Sequence, residues 1–393
     1  MERYELIVIG SGPGGIGAAT AYRDAHGPGR ILVLTADADP PYMRPPLSKD
    51  SLAQVESPSR TPLADDLDDI EIRLNTRATG LDMSTRTLIA GREQVGFDRL
   101  VLALGARPVS LPGLGEGVQH HELRTLADLR RLHGAAHDAR SAVVIGSGFI
   151  GCEAAASLAQ RGLDVTVVTQ EHGPQRERLG QYVADEVSRW LRDEGITLRT
   201  GVEVASVEAP RQVHLSDGTT LDPDLLLVVV GVEPWNDLVK DAGLTLDQGR
   251  VRVDEQLRAT QPQVYAAGDI ALADHPTAGR AVAVEHWGDA EEMGRIAGHN
   301  AAGAHEAWSA VPGFWSQIGE RTLKYAAWGD GYERLEVVEH HGGFTVWYAD
   351  SDDVVVGVLT HEADEDYERG GQLVAQGASL AEALRAEEAA TPR

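Results

Sequence analysis

The pattern that most restricts this chain is a glycine turn that occurs twice. The apolar run 6–9 ends in Gly10-Ser11-Gly12-Pro13-Gly14-Gly15 and continues into an Ala-rich stretch, 16–22. The same order returns 136 residues later, where 142–145 lead into Gly146-Ser147-Gly148-Phe149-Ile150-Gly151 and then Cys152-Glu153-Ala154-Ala155-Ala156. Residues 9–19 and 145–155 share Ile, Gly, Ser, Gly, Gly, Ala and Ala in register. An apolar strand, a glycine turn and a helix of small residues form the entry of a dinucleotide-binding βαβ unit. Gly10 permits the tight turn, Gly12 lets the backbone approach a pyrophosphate, and Gly15 lets helix and strand pack closely. Gly146, Gly148 and Gly151 repeat that set. Each helix start also offers free N–H groups and a partial positive charge to phosphates. Two such units predict two bound dinucleotides.

The second strand of each unit should end near a carboxylate for the adenosine ribose, about 20 residues on. In the first unit the strand is 30–35 and Asp37 is the nearest acid; in the second it is 164–169, followed by Gln170-Glu171-His172. Neither strand ends directly on an acid. A third element, Val264-Tyr265-Ala266-Ala267-Gly268-Asp269-Ile270, is a short β-prone run that stops at a carboxylate able to bond a ligand hydroxyl, or simply at a turn.

Composition removes several alternatives. With 61 acidic and 35 basic side chains the formal net charge is −26, which argues against nucleic acid or anionic membrane as partner. The single cysteine, Cys152, excludes an intrachain disulfide, a CxxC redox pair and a cysteine-based metal site. No apolar stretch approaches the ~20 residues needed to span a bilayer, and the N-terminus has no secretory pattern. The expected setting is the cytoplasm. The pairs His120-His121 and His340-His341 read as surface residues, and no metal is expected.

Taken together, the motifs resemble the two-dinucleotide flavoprotein reductases, most closely the FAD-dependent ferredoxin and rubredoxin reductases and apoptosis-inducing factor. The segments that carry the resemblance are Pro41-Tyr42-Met43-Arg44-Pro45-Pro46-Leu47-Ser48-Lys49, Leu102-Ala103-Leu104-Gly105-Ala106-Arg107-Pro108, Gly231-Val232-Glu233-Pro234, 265–270, Val284-Glu285-His286-Trp287 and Phe314-Trp315-Ser316. The resemblance implies an α/β fold with two Rossmann-like domains and a small C-terminal α+β domain. An FAD domain would comprise 1–113 and 236–304, an NAD(P)H domain 114–235, and the C-terminal domain 305–393. The Pro/Gly-rich connector 108–117 supports the first joint, and 342–359 reads as a hairpin with an acidic turn.

It also implies roles. FAD would be held by Gly10, Gly12, Pro13, Gly14, Gly15, Asp37, Arg44, Ala103, Gly105, Arg124, Gly268, Asp269, Glu285 and His286. NADH (or NADPH) would lie against Gly146, Gly148, Phe149, Ile150, Gly151, Glu171 and Gly231. Lys49, Glu153 and Trp287 would act where the two cofactors meet, Lys49 and Glu153 as a pair, with Trp315 flanking the flavin or its access. A helix over 284–300 would point its N-terminus at the flavin. Cys152 would be buried and without a redox role. The chain departs from the family pattern at Ala36, Leu104, Thr169 and Ala283. Glu171 favours NADH, because a carboxylate repels a 2′-phosphate, whereas Arg176 and Arg178 favour NADPH.

The implied activity is hydride transfer from NAD(P)H to FAD, then single electrons to a ferredoxin- or rubredoxin-type carrier, by a monomer or homodimer. Arg130, Arg131, Arg176 and Arg178 are candidate docking residues. The competing expectation is a redox sensor like apoptosis-inducing factor, reduced slowly into a stable charge-transfer complex.

Overall fold

The computed structural model describes residues 1–390. The strand before the first glycine turn, Glu2–Ile9, runs parallel to Ile31–Leu34 on one side and to Glu93–Leu102 on the other. Val264–Ala266 adds a further parallel strand beyond Glu93–Leu102, so a segment far along the chain completes the first sheet. The second turn repeats the plan. Ser141–Ile145 pairs in parallel with Asp164–Thr169 and with Leu225–Val228, and Thr197–Thr200 extends the sheet. Parallel strands covered on both faces need continuous apolar runs. Ile31–Leu34 and Leu225–Val228 are such runs, buried throughout.

The third unit is a five-stranded antiparallel sheet, followed by the helices Asp364–Gln376 and Leu380–Ala390. The expected hairpin is Gly343–Ala349 with Val355–His361, and Asp350, Asp352 and Asp353 lie in its turn. The architecture is thus the α/β fold with two Rossmann-like halves and an α+β unit. Residues 391–393 of the expected C-terminal domain lie outside the described residues.

Two elements differ from their expected bounds, the first being the strand over 30–35, observed as Ile31–Leu34. The helix over 284–300 begins at Trp287 and runs to Ala302. Val284 follows the strand Arg280–Val282, so the chain reaches the helix still extended, with His286 at φ −108° and ψ 145°. His286 marks the boundary, its Nδ1 lying 2.9 Å from Oδ2 of Asp289 in the first turn.

That helix positions the first glycine turn. It packs on Pro13–Asp24 at a distance only small residues permit. A Cβ added at Gly294 would lie 2.1 Å from the Gly14 carbonyl oxygen, and one at Gly298 would lie 2.2 Å from that of Ala18. Overpacking of this kind costs about 1–3 kcal/mol. Gly294→Ala is therefore expected to lower stability by about that amount in chemical denaturation. Gly288→Ala, which meets open space, should change it far less.

Candidate functional site

Both glycine turns open onto one cleft of about 1850 Å³. A single small-ligand site is usually about 300–1000 Å³, so this space suits more than one. At Gly10 (φ +112°) a Cβ would meet the Ala103 oxygen at 2.0 Å, and at Gly15 it would meet the Gly10 oxygen at 1.9 Å. Gly12 is different: the nearest atom is Arg44 Nε, 4.0 Å away. In the second turn Cβ atoms at Gly146 and Gly151 would lie 2.4 Å from the Val229 oxygen and 2.2 Å from the Gly146 oxygen, while Gly148 has only Gln175 Nε2 at 3.7 Å. Two glycines of each turn are fixed by backbone, and the middle one faces the cleft.

A second repeat lies beneath the first. Ser11 Oγ bonds Thr35 Oγ1 at 2.9 Å, and Thr35 Oγ1 accepts the Asp37 N–H at 3.1 Å. In the second unit Ser147 bonds Thr169 at 2.9 Å, and Thr169 accepts the Glu171 N–H at 3.3 Å. The threonine that ends each second strand thus ties the glycine turn to the acid. Asp37 and Glu171 are structural counterparts, and both line the cleft. The signal was present in the sequence as Ser11/Ser147 and Thr35/Thr169.

Around the first turn, Arg44 donates to the Arg124 carbonyl at 2.6 Å and has no carboxylate partner among the described residues. Burial lowers its pKa. A desolvated arginine beside an open glycine cradle fits a phosphate group. Arg124 pairs with Asp269 at 2.6 Å, and Gly268 (φ +72°) turns the strand so that Asp269 faces the cleft. Asp37 accepts the Tyr42 hydroxyl at 2.7 Å, and burial pushes that phenol up to about 12. Glu285 is held by Arg250 at 2.6 Å, and Arg250 Nε also donates to the Asp269 carbonyl at 3.1 Å. Arg250 belongs to no motif, and sequence reasoning missed it. Trp287 carries a buried indole N–H with no partner among the described residues. Ala103 and Gly105 complete this wall.

Between the two turns stands Glu153, 4% exposed. Its Oε2 accepts Lys49 Nζ at 2.9 Å and Ser48 Oγ at 2.5 Å; its Oε1 accepts Ser316 Oγ at 2.7 Å and the Gln317 N–H at 3.3 Å. Ser316 and Gln317 were not foreseen as partners. Lys49 lies 4.7 Å from the ring centre of Trp315, which is 49% exposed at the cleft. Phe149 meets Phe314 edge-on at 4.6 Å, and Phe314 lies 4.4 Å from His286. Arg178 sits 5.5–5.9 Å from Phe149, Phe314 and Tyr325. Ile150, Glu171 and Gly231 (φ +114°) line the same half.

The model of one protein family, described as "Pyridine nucleotide-disulphide oxidoreductase", matches residues 4–294. The reductase component (ferredoxin–NAD(+)) of an anthranilate 1,2-dioxygenase system from Burkholderia cepacia is 29% identical over 389 residues, covering 96% of each chain. A terpredoxin reductase from a Pseudomonas species is 33% identical, covering 87% of this chain and 85% of that one. The crystal structure of a ferredoxin reductase from Rhodopseudomonas palustris superposes with a TM-score of 0.89 at 28% identity, over 96% of each chain. The chain belongs to the pyridine nucleotide-disulphide oxidoreductase family.

Its cofactors are FAD and NAD(H). The two open cradles, the unpaired Arg44 and the orphaned Trp287 N–H fit that pair. The disulphide in the family's name has no counterpart here. Cys152 is the single cysteine, buried, and burial holds its thiol well above the usual range.

One sequence reading needs correction. His120 and His121 are half-buried rather than on the surface, and burial lowers the His121 pKa. No cluster of potential metal ligands occurs among the described residues. Arg130 and Arg131 are exposed and pair with Asp39 at 2.8 Å and Asp128 at 2.5 Å.

Removing one partner of a buried pair costs about 3–5 kcal/mol, because the other charge stays buried. Lys49→Met and Glu153→Gln should each destabilise strongly in chemical denaturation, with the double variant well short of their sum. For Cys152, a thiol reagent at pH 8 should label the unfolded chain and leave the folded protein unmodified.

Proposed function

We propose that this chain is an NADH-dependent reductase of a ferredoxin- or rubredoxin-type electron carrier, acting in the cytoplasm. The observation that carries the reading is the Lys49–Glu153 contact, at 2.9 Å, which joins the two glycine cradles across one cleft. The relatives named above supply the acceptor class. No described helix is long and apolar enough to cross a membrane.

The proposed division is an FAD unit at 1–113 and 236–304, an NAD(H) unit at 114–235 and a C-terminal unit from 305. Glu153, in the NAD(H) unit, draws bonds from the other two. When bound, FAD accepts a hydride from the nicotinamide and can release the electrons singly. The chain's own residues bind, orient and balance charge. The start of the Trp287–Ala302 helix presents free N–H groups and a partial positive charge that favour negative charge on the flavin. Trp287 offers one further donor. Lys49 keeps a positive charge in the gap, and Glu153 balances it. No side chain is needed as a general acid or base.

On the nucleotide side, Glu171 would accept the adenosine ribose hydroxyls and repel a 2′-phosphate. Arg178 forms no ion pair among the described residues, and it reaches the start of the Phe149–Gln160 helix, where a diphosphate would sit. NADH is expected to outperform NADPH in kcat/KM, and Glu171→Gln should narrow that preference by about tenfold, the size of one lost charged contact. Arg178→Gln should raise KM for NADH more than it lowers kcat.

The test of the whole reading is turnover with NADH and a [2Fe–2S] ferredoxin, using cytochrome c as the final sink. Carrier-dependent cytochrome reduction is the expected result. Slow bleaching into a persistent long-wavelength band, with no stimulation by the carrier, would instead identify a redox sensor.

A further inference from the structure

Away from the cleft, at the other end of the Trp287–Ala302 helix, lies a second cavity of about 430 Å³. Arg99, Arg258, Gln263, Tyr265 and His305 line it, and no Asp or Glu does. In a chain with 61 acids and 35 bases that lining is unusual. Arginines elsewhere in this fold do meet carboxylates, as Arg73, Arg107 and Arg295 show.

Neither Arg99 nor Arg258 has a carboxylate partner among the described residues. Arg99 is half-buried, and its Nε is fully buried with no hydrogen-bond partner. Arg258 Nη2 lies 2.9 Å from His305 Nδ1. Both guanidinium groups act on the Tyr265 hydroxyl: burial and the Asp254 charge raise its pKa, and the charges of Arg258 and Arg99 pull against that rise. Two like charges lining one cavity repel each other, and an anion bound there relieves that repulsion. The nearby end of the helix cannot meet that need. It offers about half a negative charge, and the Asn300 carbonyl there already accepts the Tyr265 hydroxyl at 3.1 Å and the Gly303 N–H.

We infer that this cavity is an oxyanion site, separate from the dinucleotide cleft, that takes a small molecule through a phosphate or carboxylate group. Paired guanidinium forks suit such groups because each can present two parallel N–H donors. The apolar part of the lining, including Pro262 and Ala304, leaves room for a body larger than the anion itself.

The experiment uses the holoprotein with FAD bound and NAD⁺ in excess, so that the main cleft is filled. Inorganic phosphate and, separately, citrate are titrated by calorimetry in an anion-poor buffer. The inference expects saturable one-to-one binding of at least one probe, weakened tenfold or more by Arg258→Met and by Arg99→Met, and unchanged by Arg178→Gln. The stronger probe identifies the phosphate or the carboxylate source. Melting curves without added anion supply a second readout. Relief of repulsion predicts that Arg258→Met holds or raises Tm and abolishes the rise that the bound probe gives the wild type. Absence of saturable binding by either probe, or binding indifferent to both substitutions, would overturn the inference. So would a fall in Tm on Arg258→Met without probe, since that marks an arginine whose partners are structural.

Discussion

The arrangement turns on one buried carboxylate. Glu153 leaves the second dinucleotide helix one turn after its glycine cradle and enters a space where water is scarce. A lone carboxylate there would be unstable, so its position is set by the groups that satisfy it. Those groups come from elsewhere: Ser48 and Lys49 from the proline-stiffened loop beside the first cradle, Ser316 and Gln317 from the antiparallel sheet. Four donors from two other units fix the separation of the cradles. Ser157 reinforces the contact by donating to the Ser48 and Lys49 carbonyls at 2.8 and 3.2 Å. The width of the cleft is therefore a consequence of satisfying one charge.

Much of this was legible because local sterics and chemistry leave few choices. Gly10 and Gly15 face backbone oxygens at distances no side chain tolerates, so strand, turn and helix could be read directly. The pairing of Lys49 with Glu153 followed from the resemblance, and the structure brings the two together. What escaped depends on folding at long range. Ser316 lies 163 residues from Glu153, and a serine within a strand gives no local sign of where its hydroxyl points. Arg250 reaches Glu285 and Asp269 from a short strand with no motif around it. The late start of the Trp287–Ala302 helix escaped for a related reason, because Glu285 is held by Arg250 and His286 is extended.

Charge supplies a second organising theme. An acid-rich surface neutralises many arginines locally, as Asp39 and Asp128 do for Arg130 and Arg131. Others have no carboxylate partner among the described residues. Arg44 lies beside the first cradle, Arg178 beside the second, and Arg99 with Arg258 in the distal cavity. In the cleft such cations coincide with places where a dinucleotide carries phosphate. A dithiol step is not available to the single Cys152, which is buried with its thiol bonded to the Ser147 carbonyl at 3.4 Å. Electron flow through this chain therefore rests on the cofactors that the cleft holds.

The most direct test of that claim is an anaerobic rapid mix of the as-isolated protein with NADH, following the flavin absorbance. The account predicts bound flavin at one equivalent per chain and fast, complete bleaching. It also predicts much slower bleaching in Lys49→Met at saturating NADH, because the charge in the gap is lost. A protein that purifies without flavin and does not take it up, or a Lys49→Met variant that bleaches as fast as the wild type, would contradict it.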